Sequence, residues 1–138
     1  MIRKAKTIYL IGNGGSAANA EHIANDLVLA GKRAHALTNI AVVTCIANDF
    51  GYENVFSRQV ALFCEPGDLL IALSGSGRSP NIIRAVETAK TLGVETLTIF
   101  GSFSSPLVEA DIATGFNMQR AEERQLEIGH EWLHALSS

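Results

Sequence analysis

Two turns made almost wholly of glycine and serine, each set between a short apolar run and a helical pattern, constrain this chain more than anything else in it. The first is Gly12-Asn13-Gly14-Gly15-Ser16, which follows Ile8-Tyr9-Leu10-Ile11. The second is Ser74-Gly75-Ser76-Gly77-Arg78-Ser79-Pro80, which follows Leu69-Leu70-Ile71-Ala72-Leu73. The run before the second turn has no polar alternation, as expected of a strand covered on both faces. Alternation of short apolar runs with helical patterns predicts strand–helix units and a mainly parallel sheet.

Candidate strands are Thr7–Ile11, Ala34–Leu37, Leu69–Leu73, Glu95–Ile99 and Asp111–Thr114. Candidate helices are Ser16–Ala30, Ile40–Ala47, Asn54–Phe63, Pro80–Leu92 and Arg120–Leu136. The fourth helix is well punctuated, with Ser79 at the N-cap, Pro80 at the first helical position and Gly93 past the end. The expected fold is α/β: a doubly wound, mainly parallel five-stranded sheet between helical layers, of the Rossmann-like or flavodoxin-like kind. Residues 1–138 form one domain, because two independent cores would be hard to fill at this length. Such a sheet places its ligand at the carboxyl ends of its strands, where both turns fall. Little chain precedes the first strand, so an uncovered sheet face, and association with another subunit, are expected.

Composition narrows the function classes. Hydrophobic residues make up 47% and charged residues 18%, which describes a globular chain. Net charge is −3 and no basic stripe forms, which argues against nucleic-acid binding. No run approaches the length of a membrane span. The apolar run at the start is too short for a signal peptide and leads straight into a glycine turn. Cys45 and Cys64 lack CxxC spacing and read as small buried hydrophobes in a reducing compartment. A cytoplasmic protein is expected.

The turns themselves point to a phosphate. Glycines let backbone N–H groups approach a ligand closely, and a helix N-terminus favours an anion. With Ala17 the first turn also satisfies a G-x-G-x-x-A dinucleotide pattern, but no Asp or Glu lies between Lys32 and Asn39 to meet a ribose. A nucleotide cofactor is therefore not expected, and no Lys-Ser or Lys-Thr pair makes a Walker loop. In the second turn, three hydroxyls, free amides and a helix start make a neutral cradle for a phosphate monoester. A serine-capped turn would account for Ser79 but not for Ser74 and Ser76.

The strand–Ser-x-Ser-Gly-x-Ser–helix unit resembles the sugar isomerase (SIS) domain family. Gly12-Asn13-Gly14-Gly15-Ser16, then Ala47-Asn48-Asp49-Phe50-Gly51-Tyr52 and Phe56-Ser57-Arg58-Gln59, narrow the resemblance. It narrows to the sedoheptulose 7-phosphate (phosphoheptose) isomerases and the related replication-initiator-associating proteins. It runs from Thr7 to Leu136. The resemblance implies that Ser74, Ser76, Ser79 and the amide of Gly75 hold the phosphate. It implies that Asn13, Gly14, Gly15, Ser16, Asn48 and Asp49 line the sugar. It further implies Asp26 and His134 as catalytic base and acid, and zinc held by His22, Asp26 and His134. Three departures stand out. Asp26 replaces a glutamate and is one methylene shorter. Leu126 falls where a glutamine lies eight residues before the last histidine. The helical segment that the family carries before its first strand has no counterpart here.

Helical geometry bears on these candidates. On Ser16–Ala30 the apolar stripe runs through Ala20, Ile23, Ala24 and Leu27. His22 and Asp26, four apart, share the opposite face, which a monomer would leave in solvent unless another helix or subunit covers it. On the last helix Glu123, Glu127, His130, Glu131 and His134 share one face. They make either a solvated acidic stripe or a partner surface for Asp26, with Glu127 standing in for the glutamine. Met118, Trp132 and the phenylalanines read as packing. The implied activity is aldose–ketose isomerisation of a phosphorylated sugar through an enediol; the alternative is a non-catalytic phosphosugar sensor or adaptor. A homo-oligomer, dimer or tetramer, with its site at the subunit interface is expected.

Overall fold

The computed structural model describes residues 1–101, 110–113 and 117–137. Five strands form one sheet: β1 (Ile8–Ile11), β2 (Ala34–Ala36), β3 (Leu69–Ser74), β4 (Glu95–Phe100) and β5 (Ile112–Ala113). Their order is β2-β1-β3-β4-β5 and every neighbouring pair is parallel. The last residue of the fifth candidate strand, Thr114, lies outside the described residues. Helices α1 (Gly15–Leu29), α2 (Ile40–Phe50), α3 (Ser57–Phe63), α4 (Pro80–Thr91) and α5 (Met118–Ser137) connect and cover the strands. The helix expected over Asn54–Phe63 is split: a 3-10 turn at Tyr52–Asn54 precedes α3.

Two cores flank the sheet. On one side Ile8, Leu10, Leu69, Ile71 and Leu73 meet Ala20, Ile23 and Leu27 of α1 and Ile128 of α5. On the other, Ile11, Leu70 and Ala72 meet Val60 of α3 and Ile82, Val86 and Ala89 of α4. Helices thus cover both faces, and the uncovered face expected from the short start is not found. Helix α2 is only half covered: Val43, Ile46 and Ala47 pack against the second core, and no residue from Ile40 to Ala47 is fully buried.

Strand β3 is the firmest element. Leu69 through Leu73 are all wholly buried, and each large side chain there contributes about 1.5–3 kcal/mol. That anchors the second turn on a strand that cannot shift without opening both cores. Cys64 is buried as expected, and that burial pushes its thiol up to about 12, well above an ordinary cysteine. Cys45 is exposed, contrary to expectation, because it lies on the outer face of α2, whose Val43, Ile46 and Ala47 turn toward the core.

Candidate active site

Strands β1 and β3 are neighbours, and the chain leaves β1 toward β2 on one side and β3 toward β4 on the other. That is the switch point of a doubly wound sheet, where two loops part and leave a crevice. The first turn leaves β1 there and the second leaves β3. Asn13 and Asn81 tie them together through a reciprocal amide pair: each Nδ2 donates to the other's Oδ1 at 2.9 Å. The Tyr52 hydroxyl donates a further hydrogen bond to Asn13 Oδ1 at 3.0 Å.

Between the turns lies a cavity of about 80 Å³, lined by Asn13, Ser16, Ser74, Ser76, Ser79 and Glu122, with Gly75 and Met118 beside them. Gly14 is the exposed N-cap of α1 with φ +55°, a conformation open to glycine, and Gly15 is the first helical residue. Within the second turn Ser74 Oγ accepts from the Gly77 amide at 2.9 Å, and Ser76 Oγ from the Arg78 amide at 3.1 Å. Ser79 holds the N-cap position of α4, but its hydroxyl makes no capping bond, and the first turn of α4 has no acidic residue. The positive end of α4 is therefore left to a ligand.

The second feature is the seam between α1 and α5. Asn19 Nδ2 donates to the Glu122 carbonyl and to Gln125 Oε1, and wholly buried Gln125 donates to Ser16 Oγ. Further along, Gly129 lies against Ile23, and a Cβ there would fall 2.6 Å from Ile23 Cγ1. Further still, His130 reaches Asp26. These contacts advance together on both helices, so α1 and α5 run side by side in the same direction.

At the far contact His22 Nε2 and His130 Nε2 are 3.3 Å apart. Asp26 Oδ2 lies 3.5 Å from the first and 3.6 Å from the second. Asp26 is 7% exposed, and its Oδ2 is the buried side-chain oxygen that finds no hydrogen-bond partner among the described residues. A buried acceptor left so is costly, so the site is incomplete without a proton donor or a cation. The three separations match the edges, ~3.3–3.6 Å, of a tetrahedral zinc shell with arms of ~2.0–2.2 Å. The three side chains form a possible His/Asp/His metal-binding arrangement.

Several expectations change. The second helix over Asp26 comes from the same chain, so its face is not bare solvent. The histidine brought to Asp26 is His130; His134 is exposed one turn beyond and outside the three-residue cluster. A helix advances about 6 Å over four residues, which separates the two rings by a full turn. With His130 in that place, the position eight residues earlier is Glu122, which lines the cavity, and not Leu126, which packs into a core. Glu127 does not approach Asp26: with Glu131 it pairs with Arg124 on the outer face. Asn48 and Asp49 are exposed at the end of α2, bonded to each other, and do not line the cavity. Met118 is half exposed and rests over Gly75. Sequence reasoning missed Glu122, Gln125 and Tyr52; only the eight-residue offset from a histidine could have found the first.

A parallel doubly wound sheet with two donor-rich turns at its switch point is the architecture of a phosphosugar-binding SIS domain. Residues 1–101 match the SIS domain family model, and the chain belongs to that family, among the phosphoheptose isomerases. The phosphoheptose isomerase of Aquifex aeolicus is 36% identical over 94% of this chain and 73% of its own length. That of Chlorobaculum parvum is 39% identical over 93% of this chain and 68% of its own. The solved phosphoheptose isomerase of Neisseria gonorrhoeae superposes with a TM-score of 0.86 at 29% identity, covering 95% of this chain and 76% of that one.

Proposed function

We propose that this chain is an aldose–ketose isomerase acting on sedoheptulose 7-phosphate through an enediol. The observation that carries the reading is the cluster of His22, Asp26 and His130 on the same helix pair that opens onto the donor-lined cavity. The phosphate is held by Ser74, Ser76, Ser79 and the Gly75 amide, with Asn13, Gly14, Gly15 and Ser16 toward the sugar. Six residues of helix, about 9 Å, separate Ser16 from His22. A phosphorylated sugar chain in its open form reaches that far.

Isomerisation removes a proton from the carbon beside the carbonyl and returns one to the former carbonyl carbon. Asp26 is the acceptor for that proton, through whichever carboxylate oxygen a metal ion would leave free, and His130 exchanges protons with the substrate oxygens when its Nε2 is not engaged by a metal. The imidazoles on either side hold the carboxylate in place, which limits the penalty of its shorter side chain. The donor set of two imidazoles and a carboxylate suits zinc, which His22, Asp26 and His130 would hold. Such an ion would supply Lewis-acid polarisation of the carbonyl and C2 hydroxyl. Incubation with sedoheptulose 7-phosphate, with and without a chelator, tests the reading. Conversion to the aldose phosphate that the chelator abolishes supports it. Saturable binding without conversion rejects it in favour of a sensor or adaptor.

A homo-oligomer is part of the proposal. Ile40 and Leu62 are 76% and 78% exposed, and Phe50, Tyr52 and Phe63 are also exposed around α2 and α3. Large apolar side chains exposed on neighbouring helices favour a protein interface there. The three-residue cluster needs no second chain, although the half-exposed rings of His22 and His130 leave room for one to cover it. Sedimentation should give a dimer or tetramer at micromolar protein, and Leu62→Glu should shift it toward monomer. A wild-type monomer under those conditions contradicts this part. Among the described residues, no helix is long and apolar enough to cross a membrane.

A further inference from the structure

Helix α4 turns Ile82, Ala85, Val86 and Ala89 into the core, all of them wholly buried. Asn81, in the first turn of the same helix, is polar and yet only 1% exposed. A buried amide costs free energy unless its groups are bonded, and an apolar side chain of similar size would avoid that cost. The amide of Asn81 is bonded to Asn13 at both ends, 68 residues away in sequence. Asn13 lines the cavity between the two turns, whereas Asn81 does not.

The result for Asn13 is a fixed polarity. Its Oδ1 accepts from Asn81 Nδ2 and from the Tyr52 hydroxyl, and one of its two N–H groups is spent on Asn81 Oδ1. One N–H remains for a ligand. Neither partner belongs to the first turn: Asn81 comes from the start of α4 and Tyr52 from the 3-10 turn before α3. Without them, an amide on a glycine-rich turn could rotate and present its oxygen instead.

From this arrangement we infer that Asn81 is a positioning residue for substrate binding. It holds the Asn13 amide with the remaining N–H turned toward a sugar oxygen, and so removes the ordering cost that a free side chain would add on binding. The inference rests on the proposed binding of a sugar phosphate, but not on turnover. The phosphate group, held by the second turn, does not depend on it.

Calorimetric titration of the full chain and of N13A, N81A and the double variant tests this, with sedoheptulose 7-phosphate and inorganic phosphate as probes. N81A should weaken binding of the sugar phosphate roughly tenfold, as N13A does, and should add nothing in the N13A background. Inorganic phosphate should bind all four chains within about twofold. N81L refills the space with an apolar side chain, should behave as N81A does, and carries the comparison if the alanine variant melts early. Additive losses in the double variant would mean that Asn81 acts other than through Asn13, and would overturn the inference. An unchanged affinity for the sugar phosphate in N81A and N81L would overturn it too. So would a parallel loss for both probes, the mark of a general loosening of the turns, while the proposed function stands. If the wild-type chain binds neither probe, both fall.

Discussion

Asp26→Asn is expected to lower turnover of sedoheptulose 7-phosphate by about three orders of magnitude while leaving its affinity within a few-fold. The substitution keeps the shape of the side chain and removes its charge and basicity. Ser16, which lines the cavity beside the proposed phosphate-binding turn, is ten helical residues from it, about 15 Å. Affinity and rate should therefore separate. Zinc binding, measured by metal analysis after dialysis, should fall with the rate, because one of three candidate ligands becomes a neutral amide. Melting should change little, because the amide keeps the shape of the buried side chain beside His22 and His130. Unchanged turnover in this variant would remove Asp26 from the chemistry.

Gly129→Ala should be nearly as damaging, by a different route. A Cβ there would stand 2.6 Å from Ile23 Cγ1 and 3.1 Å from Ile23 Cδ1, in a wholly buried side chain that cannot swing away. Helix α5 must then move off α1, at a cost of about 1–3 kcal/mol for overpacking. The consequence for function is larger than for stability. His130 follows Gly129 directly, and its Nε2 must stay 3.6 Å from Asp26 Oδ2 and 3.3 Å from His22 Nε2. A shift of about 1 Å can reduce the rate by roughly a hundredfold. Ile23→Ala in the same chain should restore part of the rate, since it removes both Cγ1 and Cδ1 from the path of the new methyl group. A single variant with full activity would show that the close approach of α1 and α5 does not matter.

How far residues alone could reach is clear from particular cases. Leu69 to Leu73 could only be a strand buried on both faces, and the glycine–serine turn after it marked its carboxyl end. The stripe Ala20, Ile23, Ala24, Leu27 faces the core as its period required. Local pattern could not decide which histidine meets Asp26. His130 and His134 are four apart and share a face, so periodicity treats them alike. The choice depends on how far α5 slides along α1, and Gly129 against Ile23 and Gln125 against Ser16 set that slide through contacts more than a hundred residues apart in sequence. The same slide puts Glu122 in the cavity and turns Glu127 outward. The surroundings of Asn48 and Asp49 were hidden for a related reason: both lie on the exposed side of α2, and sequence proximity to the family motif carries no information about distance from the turns.

Everything above depends on neutral donors at β1 and β3 capturing a phosphate dianion at the switch point. Thermal melting with sedoheptulose 7-phosphate beside unphosphorylated sedoheptulose measures this most directly. At a hundredfold excess over Kd a bound ligand adds about 2.7 kcal/mol of stability. A midpoint raised by several degrees with the phosphorylated sugar, unchanged with the free sugar, and insensitive to the phosphate ester in Ser76→Asp is the predicted result. An unmoved midpoint with the phosphorylated sugar, or an equal rise with both, would contradict it.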